Sequence, residues 1–279
     1  MFSPGYRLLR RVIGTYAALD RSVLRVHTAL EEAAHGVLSR ALDARERSDL
    51  SVYLGARANP TVRSTLFSWE LPWFQSDLPP PPARLLLGAA GSGREAAWLT
   101  ARGYAVDAFE PARSCEPRLA SAVGSLGRCA FGSYEDLVLS VLTVEASPLS
   151  HFASERYDAV ILGWGSLTHV IDPDMRRNLL QAADRLSPHG PILASFWARD
   201  EGPPPPPRRA RAAGAAVGGW LGRLRGRSAS VSPHDGFRTH SGFTRPLARS
   251  ELEALAADVG RTCAWYADAY PHVTLRRRP

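Results

Sequence analysis

The stretch Leu85-Leu86-Leu87-Gly88-Ala89-Ala90-Gly91-Ser92-Gly93-Arg94-Glu95 constrains this chain more than any other. A short apolar strand, Arg84–Leu87, runs into a glycine-rich turn, and a helix follows over Arg94–Arg102 until Gly103 supplies a C-cap. Glycines at such a turn let the backbone approach a ligand closely, and the first turn of the helix offers unpaired N–H groups. A second strand, Ala105–Phe109, then ends directly at Glu110. A carboxylate at that point can accept hydrogen bonds from two ribose hydroxyls, so a nucleoside-containing cofactor is expected. The turn by itself also satisfies a dinucleotide pattern, Gly91-Ser92-Gly93-Arg94-Glu95-Ala96, which leaves an NAD-type oxidoreductase open, as well as a tight turn with no ligand.

The pattern after Ala83 alternates. Strands are expected at Arg128–Phe131, Asp158–Leu162, Pro191–Trp197, Thr262–Ala267 and His272–Arg277, with helices near Arg113–Gly124, Asp174–Leu186 and Arg249–Val259. That alternation implies an α/β, doubly wound sheet with helices on both faces. Two proline runs punctuate it. Pro79–Pro82 sets off residues 1–80, read as an N-terminal helical cap or lid, from a core over 81–279. The cap should hold a helical first segment, with Leu8, Leu9, Val12, Ile13 and Tyr16 and then Leu24, His27, Thr28 and Glu31 at helical spacing, a second helix over Leu30–Ala44, and an aromatic segment, Leu66–Phe74, packed over the core as a lid or packing segment. Pro203–Pro207 opens an insert at about 201–240.

Three stretches carry a family resemblance. Arg84–Pro111 resembles the first motif and following acid of class I S-adenosylmethionine (SAM)-dependent methyltransferases of the bacterial small-molecule type. Arg156–Val170 is similar to their fourth strand and loop, and Ser241–Gly260 to the helix before their last two strands. The resemblance covers about residues 83–200 and 241–279. It implies a seven-stranded Rossmann-like methyltransferase sheet closed by an antiparallel hairpin. It also implies SAM as cofactor, and methyl transfer to a small-molecule acceptor, in natural-product metabolism. Leu87 and Ala89 stand where family members usually carry an acid and a glycine, which keeps a non-catalytic SAM-fold binding protein as an alternative.

Carried over residue by residue, Gly88, Ala89, Gly91, Ser92 and Gly93 would pack against the cofactor, and Glu110 would hold its ribose. Tyr134, Glu135 and Asp136 would lie near the adenine, and Gly163 and Trp164 would flank the methionine part and the acceptor. For Glu135 and Asp136 a helix N-terminus is an equally good reading. Methyl transfer needs positioning first, and a base only where the acceptor must lose a proton. His169, soon after the fourth strand, is the catalytic candidate, ahead of His240, His234 and Tyr134; a structural histidine is the plainer alternative. Asp172 and Asp174 flank Pro173 before a helix, as capping residues do, and no spacing suggests a metal site.

Composition narrows the class further. The net charge is +7, and the sequence contains no lysine, which excludes Schiff-base chemistry. Six arginines (208, 209, 211, 223, 225 and 227) fall in the insert with no acid beside them, leaving a near-neutral body unlike a nucleic-acid binder. Val217, Trp220, Leu221 and Leu224 accompany those arginines at helical spacing. The insert therefore reads as a solvated segment, a lid, or a surface for weak contact with an anionic membrane or acidic partner. Gly214, Gly218, Gly219 and Gly222 oppose a helix there. Scattered Cys115, Cys129 and Cys263, and an N-terminus interrupted by arginines, point to the cytoplasm. The aromatics of residues 1–80 suggest an apolar or aromatic acceptor. Oligomeric state is left open.

Overall fold

The computed structural model describes residues 4–57, 65–143, 145–204, 206–226, 231–266 and 270–278. It divides into two compact units: one gathers the described residues of 1–47, 204–233 and 237–239, the other those of 48–203, 234–236 and 240–279.

The larger unit is built on β1 (Arg84–Gly88), β2 (Ala105–Glu110), β3 (Cys129–Phe131), β4 (Ala159–Leu162), β5 (Ile192–Ser195), β8 (Arg261–Tyr266) and β9 (His272–Arg277). Two short strands, β6 (Gly236–Arg238) and β7 (Gly242–Thr244), stand outside this sheet. The sheet order is β3-β2-β1-β4-β5-β9-β8. The first five strands run parallel, while β9 is antiparallel to both β5 and β8. This is the expected seven-stranded doubly wound sheet with its terminal hairpin. Strands are added outward in opposite senses on either side of β1 and β4, and ligands of open α/β sheets bind at that switch point.

Alternation along the strands separates two cores. Leu86, Val160, Leu162 and Ala194 pack on one face with Leu179, Leu180 and Leu252 from α8 (Pro173–Leu186) and α10 (Arg249–Asp258). Leu85, Leu87, Val106, Ile161 and Leu193 pack on the other with Leu99 of α4 (Arg94–Thr100) and Leu119 of α5 (Glu116–Val123). The aromatic segment joins this second core through α3 (Glu70–Asp77), where Trp69, Trp73 and Phe74 are buried. Arg94 fastens α3 to the start of α4, bonding Glu70 and Glu95 while lying over the Phe67 ring at 4.6 Å. Two short helices, α6 (Tyr134–Val138) and α7 (Ser150–Ala153), fill the β3–β4 connection.

The smaller unit pairs α1 (Pro4–Ala41) with α9 (Arg209–Leu224). Two helices were expected over the first forty-four residues; one continuous helix is found instead. It ends at a capping box in which the Glu46 N–H donates to Asp43 Oδ1 and the Asp43 N–H to Glu46 Oε2, starting α2 (Ala44–Arg57). Two of the glycines counted against a helix in the insert, Gly214 and Gly218, form its contact with α1. A Cβ on Gly214 or Gly218 would meet the carbonyl oxygen of Ala33 or Val37 at 2.2 Å. Close approach of two backbones outweighs the propensity cost of glycine, about 1 kcal/mol each.

Candidate functional site

The carboxyl ends of β1 to β4 open on one cavity of about 640 Å³, inside the usual range for small-molecule sites. All its walls belong to the larger unit.

The glycine turn forms the floor. Gly91 has φ +53° and open space where a Cβ would stand, so its backbone is bare toward the cavity. Gly88 and Gly93 serve packing instead: a Cβ would come within 2.7 Å of the Phe109 ring at the first and 2.6 Å of Ala122 Cβ at the second. Ala89 takes φ +50°, the only non-glycine residue at positive φ among those described. The turn thus keeps the left-handed geometry a glycine would supply, with a side chain in place.

Glu110 faces the turn from the end of β2. Its Oε2 accepts the Gly91 N–H at 2.9 Å and its Oε1 the Ala112 N–H at 3.0 Å. Burial pushes its carboxyl above the ordinary glutamate value, against the pull of those two bonds. Each oxygen keeps lone-pair capacity for a further donor. A buried carboxylate with spare acceptor capacity beside a bare backbone turn fits the ribose end of a nucleoside cofactor.

The β3 loop adds Ser133, Tyr134 and Glu135. Tyr134 meets the Phe109 ring edge-on at 5.6 Å and shares a 2.6 Å hydrogen bond with Ser166 Oγ. Burial pushes its hydroxyl far above the ordinary tyrosine value, so it stays protonated. Glu135 accepts from Ser48 Oγ at 3.2 Å. Asp136 is spent on a capping box, accepting the Ser133 N–H and hydroxyl through Oδ2, and does not line the cavity.

The loop after β4 is held from behind. The Gly165 N–H donates to Ser195 Oγ and the Trp197 N–H to Thr168 Oγ1. Gly163 is a close-approach glycine, since a Cβ would come within 2.5 Å of the Ala89 carbonyl oxygen. Trp164 leans on Phe67 and Tyr270, half exposed and outside the cavity lining. These bonds deliver Ser166, His169 and Val170 to the wall. His169 Nδ1 sits 3.1 Å from the Phe243 carbonyl oxygen, which can only accept. A neutral ring therefore carries its proton on Nδ1 and its lone pair on Nε2. Burial lowers its pKa below the ordinary histidine value, partly offset by that carbonyl, and keeps it neutral.

The structure thus brings Ala89, Gly91, Ser92, Glu110, Tyr134, Glu135 and His169 to one cavity, and leaves Gly88, Gly93, Asp136, Gly163 and Trp164 behind or beside it. His240 also lines it; His234 does not. Sequence reasoning missed Ser48, Ser51, Val52 and Gly55 of α2, and Ser241. The Phe243 N–H donates to Ser51 Oγ at 2.8 Å, anchoring that part of α2 beside β7. Trp69, Trp73 and Phe74 lie in the core rather than in the wall, and Tyr53 is exposed. The cavity lining holds none of those aromatics; beside Phe109 and Tyr134 it carries Ser48, Ser51, Ser166 and Ser241 with His169 and His240. No group of metal-binding side chains occurs, and no helix is long and apolar enough to cross a membrane, among the described residues.

No protein-family model matches the sequence, and no curated protein does. Among solved structures, the CcbJ methyltransferase of Streptomyces caelestis aligns over 75% of this chain and 89% of its own, at 14% identity and a TM-score of 0.50. A 1,6-didemethyltoxoflavin-N1-methyltransferase from Burkholderia thailandensis aligns over 100% and 92%, at 17% identity and TM-score 0.46. The magnesium protoporphyrin IX methyltransferase of Synechocystis aligns over 75% and 81%, at 12% and 0.47. At such identities the first likeness is one of fold. The strand order and terminal hairpin are those of the class I SAM-dependent methyltransferase fold.

Proposed function

We propose that this chain is a SAM-dependent methyltransferase acting on a small-molecule acceptor in the cytoplasm, in specialised metabolism. The observation that carries the reading is Glu110, a buried carboxylate at the end of β2 that bonds the glycine turn and keeps acceptor capacity toward the cavity. SAM supplies a methyl group already activated on a sulfonium. The chain's residues have then to bind, orient and, for a protic acceptor, take a proton. Gly91 and Ser92 receive the cofactor's backbone, Glu110 its ribose hydroxyls, and Glu135 its adenine side. Residues 81–279 form the core on this reading, and Ser48, Ser51, Val52 and Gly55 are what the preceding segment adds to the site.

His169 is the proton acceptor. With Nδ1–H donated to Phe243, Nε2 is the basic atom, and burial keeps it unprotonated at neutral pH. Ser166 and Ser241, with His240, suit an acceptor carrying hydroxyl or amine groups.

Calorimetric titration with SAM, S-adenosylhomocysteine and NAD tests the assignment. Binding of the first two and not the third is expected; NAD binding without SAM overturns it. The fully buried Leu87, where the family usually has an acid, favours a second reading, a SAM-binding protein without turnover. Methyl transfer to hydroxyl- and amine-bearing acceptors separates the two.

A further inference from the structure

The described part of α1 carries an apolar stripe that nothing in the site uses. Leu9, Val12, Tyr16, Leu19, Val23, Val26 and Leu30 repeat at alternating intervals of three and four, and each is 58–69% exposed. That repeat is the seam of a left-handed coiled coil. The same register continues to Ala33 and Val37, and there the seam is covered: α9 packs its glycines on the carbonyls of those two residues. One end of the stripe is thus already a helix–helix interface. Over residues 9–30, about 33 Å of helix, it is bare.

We propose that the bare part pairs with the α1 of a second copy of this chain, in antiparallel sense. The area fits. Seven side chains each exposing roughly 100 Å² leave about 700 Å² per copy, close to the ~800 Å² per partner of a standard interface and above what monomers usually expose. Ile13, also exposed, flanks the seam. The covered ends set the direction. A parallel crossing would bring the two α9 helices, each seated on Ala33 and Val37, to the same level of the seam, whereas an antiparallel crossing sets them at opposite ends. In that crossing Leu19 meets Val23, Tyr16 meets Val26 and Val12 meets Leu30. A membrane surface would favour a broader apolar face than this narrow seam.

The test is oligomeric state and orientation, measured on the full chain. Light scattering after gel filtration should give a dimer of the 30.3 kDa chain at micromolar concentration. Val23→Glu should shift it to monomer with unchanged helicity by circular dichroism. Under mild oxidation, Tyr16→Cys/Val26→Cys should cross-link two copies, whereas Tyr16→Cys alone should behave as the parent. A monomer at every concentration, a dimer indifferent to Val23→Glu, cross-linking by Tyr16→Cys alone, or a monomer that floats with anionic vesicles would each overturn the proposal.

Discussion

Two glycine-rich stretches of this chain do different work. Between β1 and α4, Gly91 stands at positive φ with empty space beside it, and a cavity begins where its side chain would be. Along α9, Gly214 and Gly218 are helical and have no space at all, because a neighbouring backbone lies where a Cβ would go. In the first the missing side chain makes room for a ligand; in the second it makes room for a helix. Composition does not distinguish the two. The strand before the first and the row of four-residue spacings in the second do.

The sharpest way to break that comparison is to fill the helical row. Gly218→Leu should disrupt the α1–α9 pair, lowering the stability of that unit by about 3 kcal/mol, with loss of helical circular dichroism on mild heating as the readout. Nucleoside binding in the larger unit should survive.

At the turn the damage should be to affinity. Glu110→Ala should weaken SAM binding by about 1.5–3 kcal/mol, roughly ten- to a hundredfold, by calorimetry. Glu110→Gln adds a check with a sign. The wild-type carboxyl has a folded-state pKa raised by burial, so it favours the native state at low pH and loses that contribution as pH rises through the raised value. The difference in melting temperature between the two proteins should therefore move in favour of Glu110→Gln from pH 4 to pH 7. A difference flat with pH would mean that the carboxyl is not held in a desolvated place.

His169→Gln should lower kcat by about a hundredfold for an acceptor that must lose a proton, and leave SAM affinity unchanged. Because burial depresses its pKa, wild-type turnover should be level through pH 7 and fall only below the ordinary histidine range. The variant should lack that acid limb. The smallest effect belongs to Ala89→Gly. Relieving a non-glycine residue at φ +50° should raise stability by about 1 kcal/mol, seen as a higher melting temperature. No gain there would mean that the turn tolerates its alanine without strain.

Much of the core was legible because its signals are local. Apolar runs ending in Gly88 and Glu110 mark β1 and β2, and Gly103 and Gly260 mark the ends of helices. The residues that line the cavity from those ends, Ala89, Gly91, Ser92 and Glu110, follow from the same signals. Ser48, Ser51 and Ser241 were not legible. Serines on a polar stretch have no period, and only the tertiary bond from the Phe243 N–H to Ser51 shows why one of them is placed there. Asp136 illustrates the reverse. Its spacing from Ser133 is that of a capping box, so local chemistry uses it before any ligand could. α9 was hidden for a third reason. Helix propensity scores each glycine against water, whereas here the buried Gly214 and Gly218 face another helix.

The bonds from the Gly91 and Ala112 N–H groups to Glu110 bear on timing as well as on recognition. They tie the glycine turn to the end of β2 through the protein's own groups, which leaves the loop little conformational freedom for a ligand to take. Binding then has little ordering left to do, and its entropy change should be less unfavourable than that of a loop that folds around its guest. Association should be fast and nearly independent of temperature-driven loop closure, with a single kinetic phase in rapid mixing. Affinity differences among nucleoside ligands should then reside in how quickly each one leaves.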